Sequence, residues 1–221
     1  MPDLELRSGG LRLVARHDPP QGPPRAGRLR AAVVCHPHPL FGGTLENKVV
    51  HGLARALREH GLHALRFNFR GAGGSEGRHD EGGGEQQDVR AALDAADALA
   101  GPGPPDGRDG SADGRLLVAG YSFGSWVGLS VGLDDPRVGA LIAVAPPVDR
   151  YDYRAIAATT RPLLVVYARD DELVPAALVE RFIAGCARPP TALALPTGGH
   201  MLHGQIAALR GAVGNWLAGL G

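Results

Sequence analysis

The stretch LLVAGYSFGSWVGL, residues 116–129, constrains the fold of this chain more than any other. Its first half is a continuous apolar run of the kind that fills a strand buried on both faces. From Phe123 onward the apolar residues fall at helical spacing. Ser122 stands at the junction, with Gly120 and Gly124 two places to either side. A strand that turns directly into a helix brings two backbones close together, and residues without a side chain leave room at the flanks. The stretch therefore demands a sheet whose face is covered by the helix that follows the strand.

The rest of the chain repeats this alternation. Residues 4–16, LELRSGGLRLVAR, read as a hairpin around Ser8-Gly9-Gly10, followed by a Pro/Gly loop over 17–28. Strands are expected at 29–36, 62–69, 115–120, 138–145, 162–168 and 191–195. Helices are expected from a Thr44 cap to about Glu59, closed by His60-Gly61, and at 85–100, 123–133, 175–186 and 204–218. Glu85 and Asp88 suit the positive N-terminal end of their helix. Strands alternating with helices imply crossover connections, hence one α/β domain over 1–221 with a mostly parallel central sheet and helices on both faces. Ligands of such sheets sit at the carboxyl ends of the strands. The loops at 36–43, 70–83, 121–123, 146–153, 169–174 and 196–203 then surround a site, and the low-complexity segment 101–114 lies on the opposite edge.

The chain carries 44% hydrophobic residues and a formal net charge of zero, enough apolar surface for a core and no excess charge for nucleic acid or an anionic membrane. No apolar run is long enough to span a membrane, and the opening MPDLELRSGGLRL lacks the basic and apolar regions of a signal peptide, so the expected location is cytoplasmic. Cys35 and Cys186 are expected as free thiols.

Gly-x-Ser-x-Gly occurs twice, around Ser75 and around Ser122. Ser75 is followed by glycines, charges and a histidine, so it belongs to a glycine-rich turn. Ser122 has the strand before it and the helix after it that lift a nucleophilic hydroxyl clear of a sheet. A serine hydroxyl needs a base. LALPTGGHMLHG places His200 and His203 just beyond the strand at 191–195, and the two glycines before His200 favour it. The base needs an orienting carboxylate. PLLVVYARDDELVP supplies Asp171, with Asp170 one residue away as its rival, and the order Ser, Asp, His along the chain fits this architecture. An oxyanion requires two donors. One is the Phe123 N–H. The other belongs to CHPHPLFGGT, where Pro37 and Pro39 have no N–H, leaving His38 and Leu40. The His-Pro-His sequence has no acidic or thiol partner at metal-ligand spacing, so no metal is expected.

With these residues in view, HPHPLFGGTLENKVV (36–50), RFNFRGAGGSEG (66–77), GYSFGS (120–125), ARDDELVP (168–175) and GGHMLHG (198–204) resemble the α/β-hydrolase superfamily. The likeness is to its small, cap-less bacterial branch close to carboxylesterases and dienelactone-hydrolase-like proteins. It implies the α/β-hydrolase fold without a cap domain, and the gap at 146–161 has room for one short helix only. Two positions depart from the family pattern. Ala168 stands where a glycine is common, and Pro37 occupies the glycine position of the usual His-Gly, which leaves the second donor open.

The expected chemistry is cleavage of a carboxylic ester through an acyl-enzyme by Ser122, His200 and Asp171, with a thioesterase or amidase, or a non-catalytic ligand-binding protein, as the alternatives. No cofactor is implied, and the partner is a small acyl ester. Its pocket walls are expected from Leu40, Phe41, Tyr121, Phe123, Pro146, Pro147, Tyr151, Tyr153, Met201 and Leu202. Arg70, Arg78 and Arg150 are available to a carboxylate, though solvated surface is their default role. The molecule is expected as a monomer, or as a homodimer paired along the hairpin edge.

Overall fold

The computed structural model describes residues 4–101 and 114–220. Most of the expectation for 101–114 therefore lies outside the described residues. The strands are β1 (Leu4–Ser8), β2 (Leu11–Asp18), β3 (Ala31–Cys35), β4 (His63–Phe67), β5 (Leu116–Tyr121), β6 (Val138–Val144), β7 (Leu163–Ala168) and β8 (Thr191–Leu195). They form one sheet in the order β1-β2-β4-β3-β5-β6-β7-β8. The β1–β2 and β2–β4 pairings are antiparallel, and every other pairing is parallel. The helices are α1 (Lys48–Glu59), α2 (Gly83–Ala100), α3 (Phe123–Asp134), α4 (Arg154–Ala157), α5 (Ala176–Ala184) and α6 (Ile206–Ala218). None of the described helices is long and apolar enough to cross a membrane.

The central strands are buried from end to end, so their side chains feed two cores. Val33, Cys35, Leu116 and Val118 point to the face covered by α2, α3, α4 and α5. Val34, Leu117, Ala119 and Tyr121 point to the face covered by α1 and α6. Each strand thus contributes alternate residues to opposite faces. Strand order reverses around β3, whose neighbours are β4 and β5, and the loops after these strands meet at the switch point where α/β sheets bind ligands.

Helix α1 begins later than its sequence suggests. Asn47, not Thr44, is the cap, accepting a hydrogen bond from Val49 N at 2.8 Å. The residues between are claimed elsewhere. Leu45 N donates to Asn68 Oδ1 and Leu45 O accepts from the buried Arg66 guanidinium, so the chain is tied to β4 and its following loop before it can coil.

Ser75, the rival serine, is buried. Its Oγ donates to Asn68 O at 2.8 Å and accepts from Val14 N at 2.9 Å. It fastens the glycine-rich loop to β2, as a turn residue would.

His36, at the end of β3, is fully buried. Its Nδ1 lies 2.6 Å from Pro37 O and its Nε2 accepts from Phe69 N at 3.0 Å, which requires the neutral ring with the proton on Nδ1. Burial pushes its pKa down from the ordinary 6.5 to about 4, with nearby His38 adding to the effect against the hydrogen bond to Pro37. Unfolded chains take up this proton near pH 6.5 while the folded protein does not until about pH 4, so stability is lost as pH falls through that window. His17, His38 and His63, also lowered by burial, act in the same direction. Thermal unfolding is expected at clearly lower temperature at pH 4.5 than at pH 7; a flat Tm across this range would show that His36 is not held neutral.

Candidate active site

The Ser122 turn is built by its two glycines. A Cβ on Gly120 would lie 2.3 Å from Gly124 O, and one on Gly124 would lie 2.4 Å from His36 O. Alanine fits at neither place, so β5 and α3 can approach each other and α3 can approach the end of β3. Ser122 itself adopts φ 52°, ψ −124°, a strained conformation for a residue with a side chain. The strain is held from behind. Ser125 Oγ donates to Ser122 O at 2.6 Å and lies 2.7 Å from the buried Tyr153 hydroxyl.

This turn brings Ser122 Oγ to 2.9 Å from His200 Nε2. On the other side of the ring, His200 Nδ1 lies 2.9 Å from Asp171 Oδ2. An ionised carboxylate only accepts, so Nδ1 carries the proton and Nε2 is free to accept from the serine hydroxyl. His203, the alternative base, stands away from Ser122, with its Nδ1 at 2.9 Å from Lys48 Nζ.

Each residue of the acidic run 170–172 holds a different part of the histidine loop. Asp170 accepts from Gly198 N at 3.2 Å and Gly199 N at 2.9 Å. Asp171 faces the ring, and Glu172 accepts from His200 N at 3.0 Å. The Tyr121 hydroxyl donates to His200 O at 2.9 Å. His200 is thereby fixed through its amide, its carbonyl and its ring. Burial acts to raise the Asp171 pKa, but the hydrogen bonds from His200, Val174 N and Leu173 N outweigh it and leave the carboxyl below its usual range. Asp171 is therefore an anion throughout the neutral region.

The loop after β3 makes a 3-10 turn over Pro39–Phe41, and Leu40 N donates to His38 Nδ1 at 3.2 Å. Leu40 is exposed and stands outside the Ser122 cleft, whereas His38 lines it. The His38 ring packs on Phe123 at 5.0 Å and on His79 at 4.5 Å. His79 in turn lies 2.7 Å from Glu85, which is fully buried and also accepts from Asp80 N and Gly82 N. Glu85 thus does more than favour a helix dipole: it ties down the 79–82 loop, whose His79 packs on His38.

The cleft over Ser122 has a volume of about 450 Å³. Phe41, Tyr121, Phe123, Pro147, Tyr151 and Met201 line it, together with Leu173 and Val174, which sequence patterning had not singled out. Of the two prolines expected in the wall, Pro147 lines the cleft, whereas Pro146 is buried and does not. Tyr153 and Leu202 are likewise buried in the two cores rather than in the cleft. Tyr151 stacks on Trp126 at 4.3 Å with an interplanar angle of 13°, a rigid apolar platform.

Comparison with solved structures gives this geometry a family. An α/β serine hydrolase homologue from Coxiella burnetii is 34% identical, with a TM-score of 0.85 over 97% of this chain and 96% of that one. The chain belongs to the α/β serine hydrolase family. A second member, a lidless α/β serine hydrolase from Xanthomonas campestris, is 32% identical with a TM-score of 0.83 over 98% of this chain and 93% of that one. Here, too, only the four-residue α4 occupies the stretch where a cap would be inserted. Est1E of Butyrivibrio proteoclasticus, solved with ferulic acid bound, shares the fold at 19% identity and a TM-score of 0.76. Among curated sequences, an uncharacterised Rickettsia prowazekii protein is 35% identical over 148 residues, covering 66% of this chain, and one from Mycobacterium tuberculosis is 30% identical over 178 residues. The chain spans 58% and 60% of the length of those two relatives. No family model matches.

Proposed function

We propose that this protein is a serine hydrolase that cleaves carboxylic esters through an acyl-enzyme, with Ser122, His200 and Asp171 as its catalytic triad. The observation that carries this is the two-step hydrogen-bonded chain from Ser122 Oγ through His200 to Asp171, mounted on a strained strand-to-helix turn inside an open cleft.

In the first half-reaction Ser122 Oγ attacks the ester carbonyl carbon while His200 Nε2 takes the hydroxyl proton. Asp171 stabilises the imidazolium without becoming protonated itself. The carbonyl oxygen becomes an oxyanion facing the Phe123 N–H at the start of α3, where the helix dipole adds positive potential. The second donor assigned here is the His38 N–H. Leu40 N is already engaged with His38 Nδ1, while His38 N has no acceptor among the described residues and its residue lines the cleft. His200 then protonates the departing alkoxide. Water, deprotonated by the same nitrogen, attacks the acyl-enzyme and releases the acid.

Esters fit the site better than amides because the cleft is mostly apolar and no aspartate or glutamate among the described residues lines it to assist a poorer leaving group. The expected setting is a small soluble substrate in the cytoplasm, without cofactor. Free Cys35 and Cys186 suit a reducing compartment. A monomer is the simplest state, with β1 at the edge of the sheet as the route to a homodimer. The test is a matched series of 4-nitrophenyl ester, thioester and anilide sharing one short acyl group. Esters should give the highest kcat/KM, anilides the lowest. An anilide cleaved faster than its ester would overturn the assignment.

A further inference from the structure

Resting on this esterase reading, we infer that the preferred substrate is an ester carrying a carboxylate or similar anion beside its apolar body, and that Arg150 is the residue that recognises it. Three arginines were available from the sequence. Arg70 is satisfied by its own chain: its guanidinium and its backbone N–H all bond to the buried Asp88, with Nε at 3.1 and 3.2 Å and Nη2 at 2.8 Å. Arg78 is exposed and does not line the cleft. Arg150 does line it.

No described carboxylate is bonded to Arg150. Among the described residues its guanidinium has one hydrogen bond, a long one from Nη2 to Leu173 O at 3.5 Å, which places it between the 147–151 loop and the 171–174 loop at the cleft mouth. It is in no ion pair with a described residue. No aspartate or glutamate lines the cleft. Asp171 is turned away beneath His200, and Asp170 and Glu172 are occupied by the amides of 198–200. The N-terminus of α3 adds positive potential at the floor. Glu81 acts on Tyr151 and His38 from outside the lining, but a cleft lined by a guanidinium in no ion pair, by a helix N-terminus and by no carboxylate favours an anion over a cation.

The rest of the cleft says what the anion is attached to. The exposed large hydrophobic residues of the described chain are Leu40, Phe41, Leu173 and Met201. Three of them line this cleft and Leu40 adjoins Phe41, so the large exposed hydrophobic side chains of the described residues gather at one mouth. The Tyr151 platform lines the same cleft, directly beside Arg150 in sequence. The substrate is thus amphiphilic: an apolar or aromatic portion against Phe41, Met201 and Tyr151, with an anionic group turned to Arg150. A planar carboxylate matches the guanidinium fork.

Two matched substrate pairs test this. In one the anion lies on the acyl side: mono-4-nitrophenyl glutarate against its methyl-capped diester. In the other it lies on the leaving group: 3-acetoxybenzoate against its methyl ester. The wild-type protein should favour the anionic member of at least one pair by about five-fold or more in kcat/KM, a ratio that shrinks as salt rises. Arg150→Gln should bring the ratio to one or below, with Arg150→Lys between. The pair that responds tells which side carries the anion. Ratios at or below one in both pairs, or ratios indifferent to Arg150→Gln, would overturn the inference. Calorimetric binding to the Ser122→Ala protein separates the two levels of argument. If the anionic esters bind more tightly through Arg150 but no ester is turned over, the esterase reading fails and the recognition stands. If neutral esters are turned over and no anionic preference exists in either measurement, the recognition fails and the esterase reading stands.

Discussion

Ser122→Ala is expected to lower kcat for a 4-nitrophenyl ester by about 10⁶-fold, to the rate sustained by binding and the oxyanion donors alone. The fold should survive the change. Among the described residues Ser122 Oγ bonds only to His200, and the turn is held by backbone geometry, by Gly120 and Gly124, and by Ser125 and Tyr153 behind it. Thermal unfolding of the variant should therefore match or exceed that of the wild type, since a strained site is relieved of a polar group. Ser75→Ala is the contrasting variant. It removes bonds to Asn68 O and Val14 N, so it should lower Tm while sparing most of kcat. If Ser75→Ala abolished turnover and Ser122→Ala did not, the two glycine-flanked serines would have to exchange roles.

The second large effect separates two adjacent carboxylates. Asp171→Asn should cost about 10⁴-fold in kcat with little change in KM, because an amide can hold the ring in the wrong tautomer and cannot stabilise the imidazolium. Asp170→Asn keeps one of the two oxygens that accept from Gly198 N and Gly199 N and turns the other into a donor, and should cost less than ten-fold, as expected for a residue that shapes the loop without touching the ring. Similar losses from both substitutions would mean that the geometry of the loop, and not the charge facing His200 Nδ1, limits the reaction.

Much of this site is legible along the chain because it depends on local backbone rules. A serine between glycines at a strand-to-helix junction, a histidine after two glycines, and an acidic run at a strand end each announce a turn at the same edge of a parallel sheet. What the sequence leaves open has a physical origin in each case. Asp170 and Asp171 differ by one step in a tight turn, and only the assembled loop shows that the acidic run divides its work among the amides, the ring and the backbone of 198–200. His38 and Leu40 both offer an N–H, and the choice rests on a side-chain bond, Leu40 N to His38 Nδ1, that no spacing rule reveals. The long-range pairs are less legible still. Arg70 meets Asp88, Ser8 bonds Asp88 at 2.7 Å, and Asn68 and Arg66 reach back to delay α1. These contacts join segments that only the sheet brings together, so a helix-opening carboxylate and a spare arginine looked independent until the fold neutralised one with the other.

The most direct test is active-site labelling of the intact protein with a fluorophosphonate, read by mass spectrometry. The probe reports only a hydroxyl activated as a nucleophile. One adduct is expected, located on Ser122, absent from Ser122→Ala and formed much more slowly in His200→Ala. An adduct on any other residue, or equal labelling of wild type and His200→Ala, would contradict the claim that His200 activates Ser122 for acyl transfer.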